Sequence, residues 1–396
     1  MRIGINASFL RKQGTGIGQA NIEFLRQLAL FQGQSQSQNS TAGQGHLEFF
    51  LYCEEKPVLP FALPKNFSVR TFLPLWKRDD LIRKMLWESK LKGEAFKDGC
   101  DTFLSLYQAS TIFPKSIHHV MVVHDLIPHF FPSYQGNLRQ KIHWQLVERG
   151  IRNATAFIVV SQSTKHDLIR FGIKEADIEI AYPAVGPRFA LPPTGSDEKR
   201  ILEKYALIPG YIYHGGGLEV RKNTERLLCA YKRLREEAVA GTLLVPLPPL
   251  VISGKIFSEK NILATPVRAL VKKLGLEDTV KLLDFVPEED LPTLYKNAIF
   301  FAYPSLYEGY GLPVQEALSC GTPVLTGNNS SLPEIVGDAG LLVDAENFES
   351  ISSGIKRLLS DADLRTGFQS IAKASSHRYS WEAFTKTVLQ SLRITV

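Results

Sequence analysis

The chain contains no uninterrupted apolar run of 18 residues or more, so the sequence predicts no membrane-spanning helix. Its four cysteines, Cys53, Cys100, Cys229 and Cys320, are scattered and form no Cys-x-x-Cys pair. That pattern argues against a disulfide framework or a structural zinc site and fits a reducing cytosol. The amino-terminal MRIGINASFLRK lacks a long apolar segment and reads as a first strand, not a secretory signal. A metal-binding Asp-x-Asp at a strand end is also missing. The one such string, Asp361-Ala362-Asp363, falls between helical segments and reads as solvated charge; no metal site is expected, and separately no cofactor. Charge of one sign is only slightly in excess. A net +6 with an isoelectric point near 9.0 favours an anionic partner without choosing between nucleotide, lipid headgroup and nucleic acid.

What is present is ordinary in bulk and specific in pattern. At 396 residues, 44% hydrophobic and 22% charged, the chain predicts a soluble globular protein of about two domains. Residues 2–6 read as a buried strand, followed by Gly14-Thr15-Gly16-Ile17-Gly18 and an amphipathic helix over 19–31. This order cradles phosphates, but a dinucleotide fingerprint needs an acidic residue about 20 positions on. The first candidates, Glu54 and Glu55, are displaced by the polar stretch 32–45, which reads as a mobile surface loop. A plain flexible loop that lets ligand approach is the alternative. A helix over 77–97 carries seven basic and four acidic side chains, with Leu81, Met85, Trp87 and Leu91 on an apolar side. It is either a solvated helix with a core stripe or a dock for anionic membrane.

Strand-like runs at 102–107, 119–124, 155–161 and 179–183 alternate with helical patterns, which predicts a parallel sheet covered on both faces. His124 stands at the carboxyl end of one run, where open sheets of this type place ligands. Ser163 is a candidate cap for a helix over 164–171. Residues 183–197 are rich in proline and glycine and mark a domain boundary. Alternation then restarts with strands at 211–214, 250–253, 280–283, 299–303, 324–326 and 341–343. The expected fold is therefore α/β, with two Rossmann-like domains in tandem and ligand in the cleft between them. The expected boundaries are 1–185, a linker 186–197, and 198–378, with a last helical segment at 379–396.

The second domain holds the densest chemistry. Arg221 and Lys222 follow Gly215-Gly216-Gly217 and precede a helix, a combination suited to a diphosphate. The segment PSLYEGYGLPVQEALSCGTPV, residues 304–324, is a glycine loop feeding a helix, with Glu308 before the junction and Glu316 inside the helix. Glu316 could accept from the two hydroxyls of a ribose. Each feature alone has an ordinary structural explanation. Their convergence after two strands of one domain does not.

Glu308-x7-Glu316 within YEGYGLPVQEALSCGTPV resembles the signature of retaining nucleotide-sugar glycosyltransferases of family 4, the glycosyltransferase group 1 domain. LPEIVGDAGLLVD, HGGGLEVRKNTERLL and VVHDLIP resemble that family's next segment, its diphosphate loop and its histidine motif, in the right order. The resemblance implies the two-domain GT-B architecture, with acceptor bound by the first domain, donor by the second, and the last helix crossing back to the first. It implies that Arg221 and Lys222 hold the donor diphosphate and that Glu316 binds the ribose. The amides of Tyr310, Gly311 and Leu312 would meet sugar or phosphate. Glu308 and His124 would lie near the donor sugar, with Gly16 bordering the diphosphate. Among catalytic candidates these are His124, Glu308 and Lys222. The chain departs from some members in having Gly216 where they carry an arginine six residues before the lysine.

The implied reaction is metal-independent, retaining transfer of a hexosyl unit, resembling bacterial mannosyltransferases of surface-polysaccharide synthesis. GDP-mannose is the expected donor, with a UDP-sugar as the other option, and the acceptor is a glycan or a lipid-linked glycan. Nucleic acid is not an expected partner. The expected location is the cytoplasm, with peripheral contact at the inner face of an anionic membrane. A same-fold epimerase or phosphorylase is the alternative.

Overall fold

A computed structural model describes residues 1–37, 47–73, 81–256, 262–375 and 378–394. The chain divides into two compact units, one of residues 1–183 with 379–396 and one of residues 184–378.

The first unit is built on a seven-stranded sheet of β1 (Arg2–Asn6), β2 (Glu48–Cys53), β3 (Phe67–Thr71), β4 (Thr102–Ser105), β5 (His118–Val123), β6 (Ala156–Val159) and β7 (Ile178–Ile180). All pairs are parallel, in the order β3-β2-β1-β4-β5-β6-β7. The central strands are runs of apolar residues because helices cover both faces: Ile3, Ile5, Leu51, Leu104 and Val122 are all fully buried. The chain builds outward from β1 to β3, then returns to the other side of β1 with β4. The carboxyl ends of β1 and β4 therefore form the switch point where connections diverge and leave a crevice.

The second unit repeats the plan with six parallel strands: β8 (Tyr211–His214), β9 (Leu250–Ser253), β10 (Val280–Leu283), β11 (Ala298–Tyr303), β12 (Val324–Gly327) and β13 (Gly340–Val343). Their order, β10-β9-β8-β11-β12-β13, puts the switch point between β8 and β11. Its core joins the sheet, through Ile212, Ile252 and Phe300, to Leu227, Leu228 and Tyr231 of the helix Thr224–Val239.

Several local expectations are corrected. The first helix runs Gly16–Ser37, so residues 32–37 of the polar stretch are helical, while 38–46 lie outside the described residues. Glutamine is a good helix former, and the single Gly33 costs only about 1 kcal/mol, too little to stop a helix already formed. The basic helix is described from Leu81 to Lys97. β3 is not predicted by the sequence, because an edge strand with three exposed residues lacks an apolar run. Ser161, not Ser163, caps the helix Gln162–Phe171 by accepting from the Thr164 amide at 3.0 Å. Within 183–197, Pro187–Ala190 forms a helical turn and Gly195 begins the helix Gly195–Lys204.

Candidate functional site

The loops after β8 and β11 are neighbours because their strands are neighbours. After β8 the chain passes through Gly215–Gly217, a single turn at Val220–Lys222, and the helix Thr224–Val239. After β11 comes the loop 304–311 and the helix Leu312–Ser319, which starts from Gly311 at φ 102°, a conformation that favours glycine. The two loops touch at Gly216. With φ 84°, a Cβ added there would lie 2.7 Å from Cγ of Pro313. An arginine here would need Pro313 and the Tyr303 ring to move and would hold a positive φ.

Two buried polar residues pin the Arg221-Lys222 turn. His214 Nδ1 bonds the Ala302 carbonyl at 2.8 Å and Nε2 bonds Thr224 Oγ1 at 2.9 Å, tying β8 to β11 and to the helix start. Burial pushes its pKa down to about 4, so the ring is neutral: Nδ1–H donates and Nε2 accepts. Asn223 adopts φ 63° and donates from Nδ2 to the carbonyls of Pro304 at 2.9 Å and Ala345 at 2.6 Å.

Lys222 is thereby buried with its Nζ 2.8 Å from Glu308 Oε1, also bonded to the Tyr303 hydroxyl. Arg221 donates to Glu308 Oε2 at 2.7 Å and to the Tyr307 carbonyl at 3.1 Å, and its Nε lies 2.7 Å from Glu219. Tyr303 and Ser305 hydroxyls complete the shell around Glu308 Oε1 at 2.9 and 2.7 Å. Burial would raise the Glu308 pKa, but Arg221, Lys222 and these hydrogen bonds outweigh it and hold the carboxyl at about 2. Burial lowers the Lys222 pKa, with Glu308 opposing the shift. Two cations thus face two carboxylates, Glu308 and Glu219, at a strand end and a helix start.

Glu316 stands apart from this network. Its Oε2 accepts from the Tyr295 hydroxyl at 2.9 Å, and burial raises its pKa to about 8 against the pull of that bond. Tyr310 is buried with its hydroxyl donating to Gln315, and Ser331 donates to the carbonyls of Glu308 and Tyr310 at 3.0 and 2.6 Å, which fixes the loop ahead of Gly311 and Leu312.

The remaining two candidates belong to the first unit. His124 follows β5, and its Nε2 donates to the Leu106 carbonyl at 3.0 Å, which leaves Nδ1 as the acceptor. Burial lowers its pKa, against that hydrogen bond. Gly16 opens the first helix, and the Gly18 beside it is the sterically constrained glycine, since a Cβ there would lie 2.0 Å from the Lys12 carbonyl oxygen. The structure therefore brings together Arg221, Lys222 and Glu308, with Gly216 against the start of the Glu316 helix. The sequence does not mark His214, Asn223, Tyr303, Ser305 and Tyr295 as site residues. Of these only Asn223 carried a local signal, a helix-start residue directly after the cation pair.

Comparison with known proteins agrees with this layout. Residues 206–375 match the family model described as "Glycosyl transferases group 1", and residues 42–189 match "Glycosyltransferase Family 4". The chain is 28% identical to the O-antigen chain mannosyltransferase B of Escherichia coli, over 96% of each chain. It is 30% identical, over 70% of its own length, to the serotype-specific mannosyltransferase WbdA of Escherichia coli, of which it spans 34%. Among solved structures, Anabaena HepE in complex with UDP and glucose superimposes with TM-score 0.70 at 16% identity, covering 99% of each chain. The relatives give no support to the epimerase or phosphorylase alternative. A switch-point cation pair, a glycine-started helix and two family matches along one GT-B fold lead to one conclusion: the chain belongs to the group 1, family 4 glycosyltransferases.

Proposed function

We propose that this glycosyltransferase moves a mannosyl unit from GDP-mannose to a glycan or lipid-linked glycan, with retention and without a metal ion, in surface-polysaccharide synthesis. The observation that carries the reading is the Arg221-Lys222 turn, held by His214 and Asn223 at the start of a helix on the switch point of its sheet. As the bond from sugar C1 to phosphate breaks, negative charge grows on the nucleoside diphosphate. Fixed cations and helix-start amides stabilise that charge without reorganising. Similarity to a mannosyltransferase along nearly the whole of both chains supports the sugar.

Glu308 takes a holding role in this reading. Both of its oxygens are occupied by donors and its pKa is held at about 2, which makes it a poor nucleophile. It keeps the two cations oriented, and the diphosphate takes over part of their pairing on binding. The acceptor hydroxyl then attacks on the face the leaving group vacates. Glu316 accepts from the ribose. His124 and Gly16 are assigned to the donor sugar and the diphosphate on the resemblance alone.

A donor panel read as nucleoside diphosphate release, with and without a lipid extract, tests the assignment. GDP-mannose is expected to give the fastest acceptor-dependent release, and equal or faster release from UDP-sugars would overturn the donor. Lys222→Ala is expected to lower turnover by about 10²–10³ with the fold retained. Activity near wild type would remove Lys222 from the diphosphate site.

Peripheral contact with anionic membrane belongs to the same proposal. On the helix Leu81–Lys97, Ile82, Leu86 and Phe96 are 45%, 44% and 48% exposed. At 100° per residue they fall within about 80° of one another. Lys90, Lys92 and Lys97 are exposed beside this stripe, as a helix lying in a lipid interface requires. In this reading the protein works at the cytoplasmic side of the membrane that carries a lipid-linked acceptor, and the exposed apolar stripe supports that reading. No described helix is long and apolar enough to cross a membrane.

A further inference from the structure

A charged concavity lies in the first unit, on the turn that leads into the Gly16 helix, and none of its lining residues is assigned above to the donor. It is a pocket of about 190 Å³ lined by Ser8, Phe9, Arg11, Lys12, Glu54, Leu81 and Lys84. These residues come from the turn after β1, the end of β2 and the first turn of the helix Leu81–Lys97. The pocket therefore borders the carboxyl ends of the strands, where a doubly wound sheet presents its ligands.

Its charges are arranged, not scattered. Glu54 is buried and already bonded from behind by Arg83, which is 1% exposed, with Arg11 3.2 Å from its other oxygen. The lining thus carries three cations against one carboxylate, and that carboxylate is shared with a fourth cation. Lys84 is the most constrained of the set. Its ammonium lies over the rings of Phe9 and Tyr107, 5.2 and 4.8 Å from their centroids. Beneath it, 3.8 Å away, is the fully buried Glu88, which accepts from the Tyr107 hydroxyl at 2.7 Å and from the Ser110 amide at 3.0 Å. Asn6 and Ser8 in turn donate to the Tyr107 hydroxyl at 3.3 and 3.0 Å. Burial lowers the Lys84 pKa; Glu88 and Glu54 oppose this, while Lys12 and Arg11 add to it by repulsion. A bound anion would relieve that repulsion.

We propose that this pocket binds a phosphoryl group of the acceptor. The inference rests on the transferase reading and deepens it by naming the acceptor's chemistry. Clustered lysine and arginine charges suit a phosphomonoester or diphosphate, which carries about two charges, better than a single carboxylate. Leu81 lines the pocket and Ile82, the next residue, opens the exposed apolar stripe. The stripe begins about 100° around the same helix from Leu81, so a hydrocarbon tail carried by a bound phosphoryl group would have an apolar face on that helix to follow.

The test uses the full chain, with UDP or GDP saturating the donor site so that pyrophosphate cannot report on Arg221 and Lys222. Calorimetric titration with inorganic pyrophosphate and with a short polyprenyl diphosphate should show binding of both. Affinity is expected to weaken about tenfold or more in Lys84→Gln and Lys12→Ala, and to stay unchanged in Lys174→Ala, an exposed lysine ahead of β7. Tighter binding of the polyprenyl compound identifies a lipid-linked source, and equal binding a water-soluble phosphorylated glycan. Both outcomes support the pocket. Lack of binding, or binding indifferent to Lys12 in a variant with wild-type Tm, overturns it. Nucleoside diphosphate affinity in the same variants reports separately on the donor site, so a failed pocket leaves the transferase reading standing.

Discussion

Glu308 and Glu316 share one loop-helix segment yet hold opposite protonation states at neutral pH. Glu308 is ionised because two cations and two hydroxyls surround it; Glu316 is largely neutral because burial outweighs the one hydroxyl that bonds it. Its carboxyl, with a pKa of about 8, loses its proton only above neutrality. Ribose hydroxyls donating to it favour the charged form and so pull the pKa down. Nucleoside diphosphate binding at pH 7 is therefore expected to release a fraction of a proton. Calorimetry in buffers of differing ionisation enthalpy measures it, and subtracting the Glu316→Gln signal removes the phosphate contribution. Equal release in wild type and variant would remove Glu316 from the ribose. Gly216 gives a second test at this scale. Gly216→Ala combines a positive φ with a Cβ at 2.7 Å from Pro313, so a stability loss of about 1–3 kcal/mol is expected in urea unfolding.

At the scale of elements, the site depends on how two strand-loop-helix units are fastened to each other. Asn223 does this with one amide group, bonding carbonyls on the loops after β11 and β13 while its own backbone turns into the helix. Asn223→Ala leaves both carbonyls without that donor and keeps a non-glycine residue at φ 63°, at an expected cost of about 2–4 kcal/mol. Because the same turn aims Lys222, turnover should fall further than the fraction unfolded accounts for, which kcat measured well below Tm will show. The division between legible and hidden features lies at this scale too. Buried strands such as β8 and β11 announce themselves as apolar runs, and Arg221, Lys222, Glu308 and Glu316 as charges interrupting small-residue loops. Tyr303 and Tyr295 hide because a tyrosine in an apolar segment reads as core, and only the fold shows which hydroxyl meets which carboxylate. Lys84 and Glu88 hide differently. Within a helix rich in both signs, nothing local marks the one pair that packs inward against Tyr107.

For the whole molecule, the decisive feature is that the first unit is discontinuous in sequence: the chain leaves it after Pro183 and returns at Tyr379. The returning helix Trp381–Ser391 is part of that unit's core. Phe384, Val388 and Leu389 are buried, Phe384 meets Phe24 edge-on at 6.4 Å, and the Ser391 carbonyl bonds His118 of β5 at 2.7 Å. Three large apolar side chains contribute about 1.5–3 kcal/mol each, a sum comparable with the 5–15 kcal/mol that typically separates a folded domain from its unfolded chain. A chain ending at Arg378 keeps all of the second unit, including Arg221, Lys222, Glu308 and Glu316. The expected result is selective: hydrogen exchange should lose protection in β5, β6 and the first helix while β8 and β11 remain protected, and transferase activity should vanish although nucleoside diphosphate still binds. Retained protection in β6 would show that the terminal helix adds little to the first unit. A loss of nucleotide binding would show that the second unit's donor residues depend on the first for their arrangement.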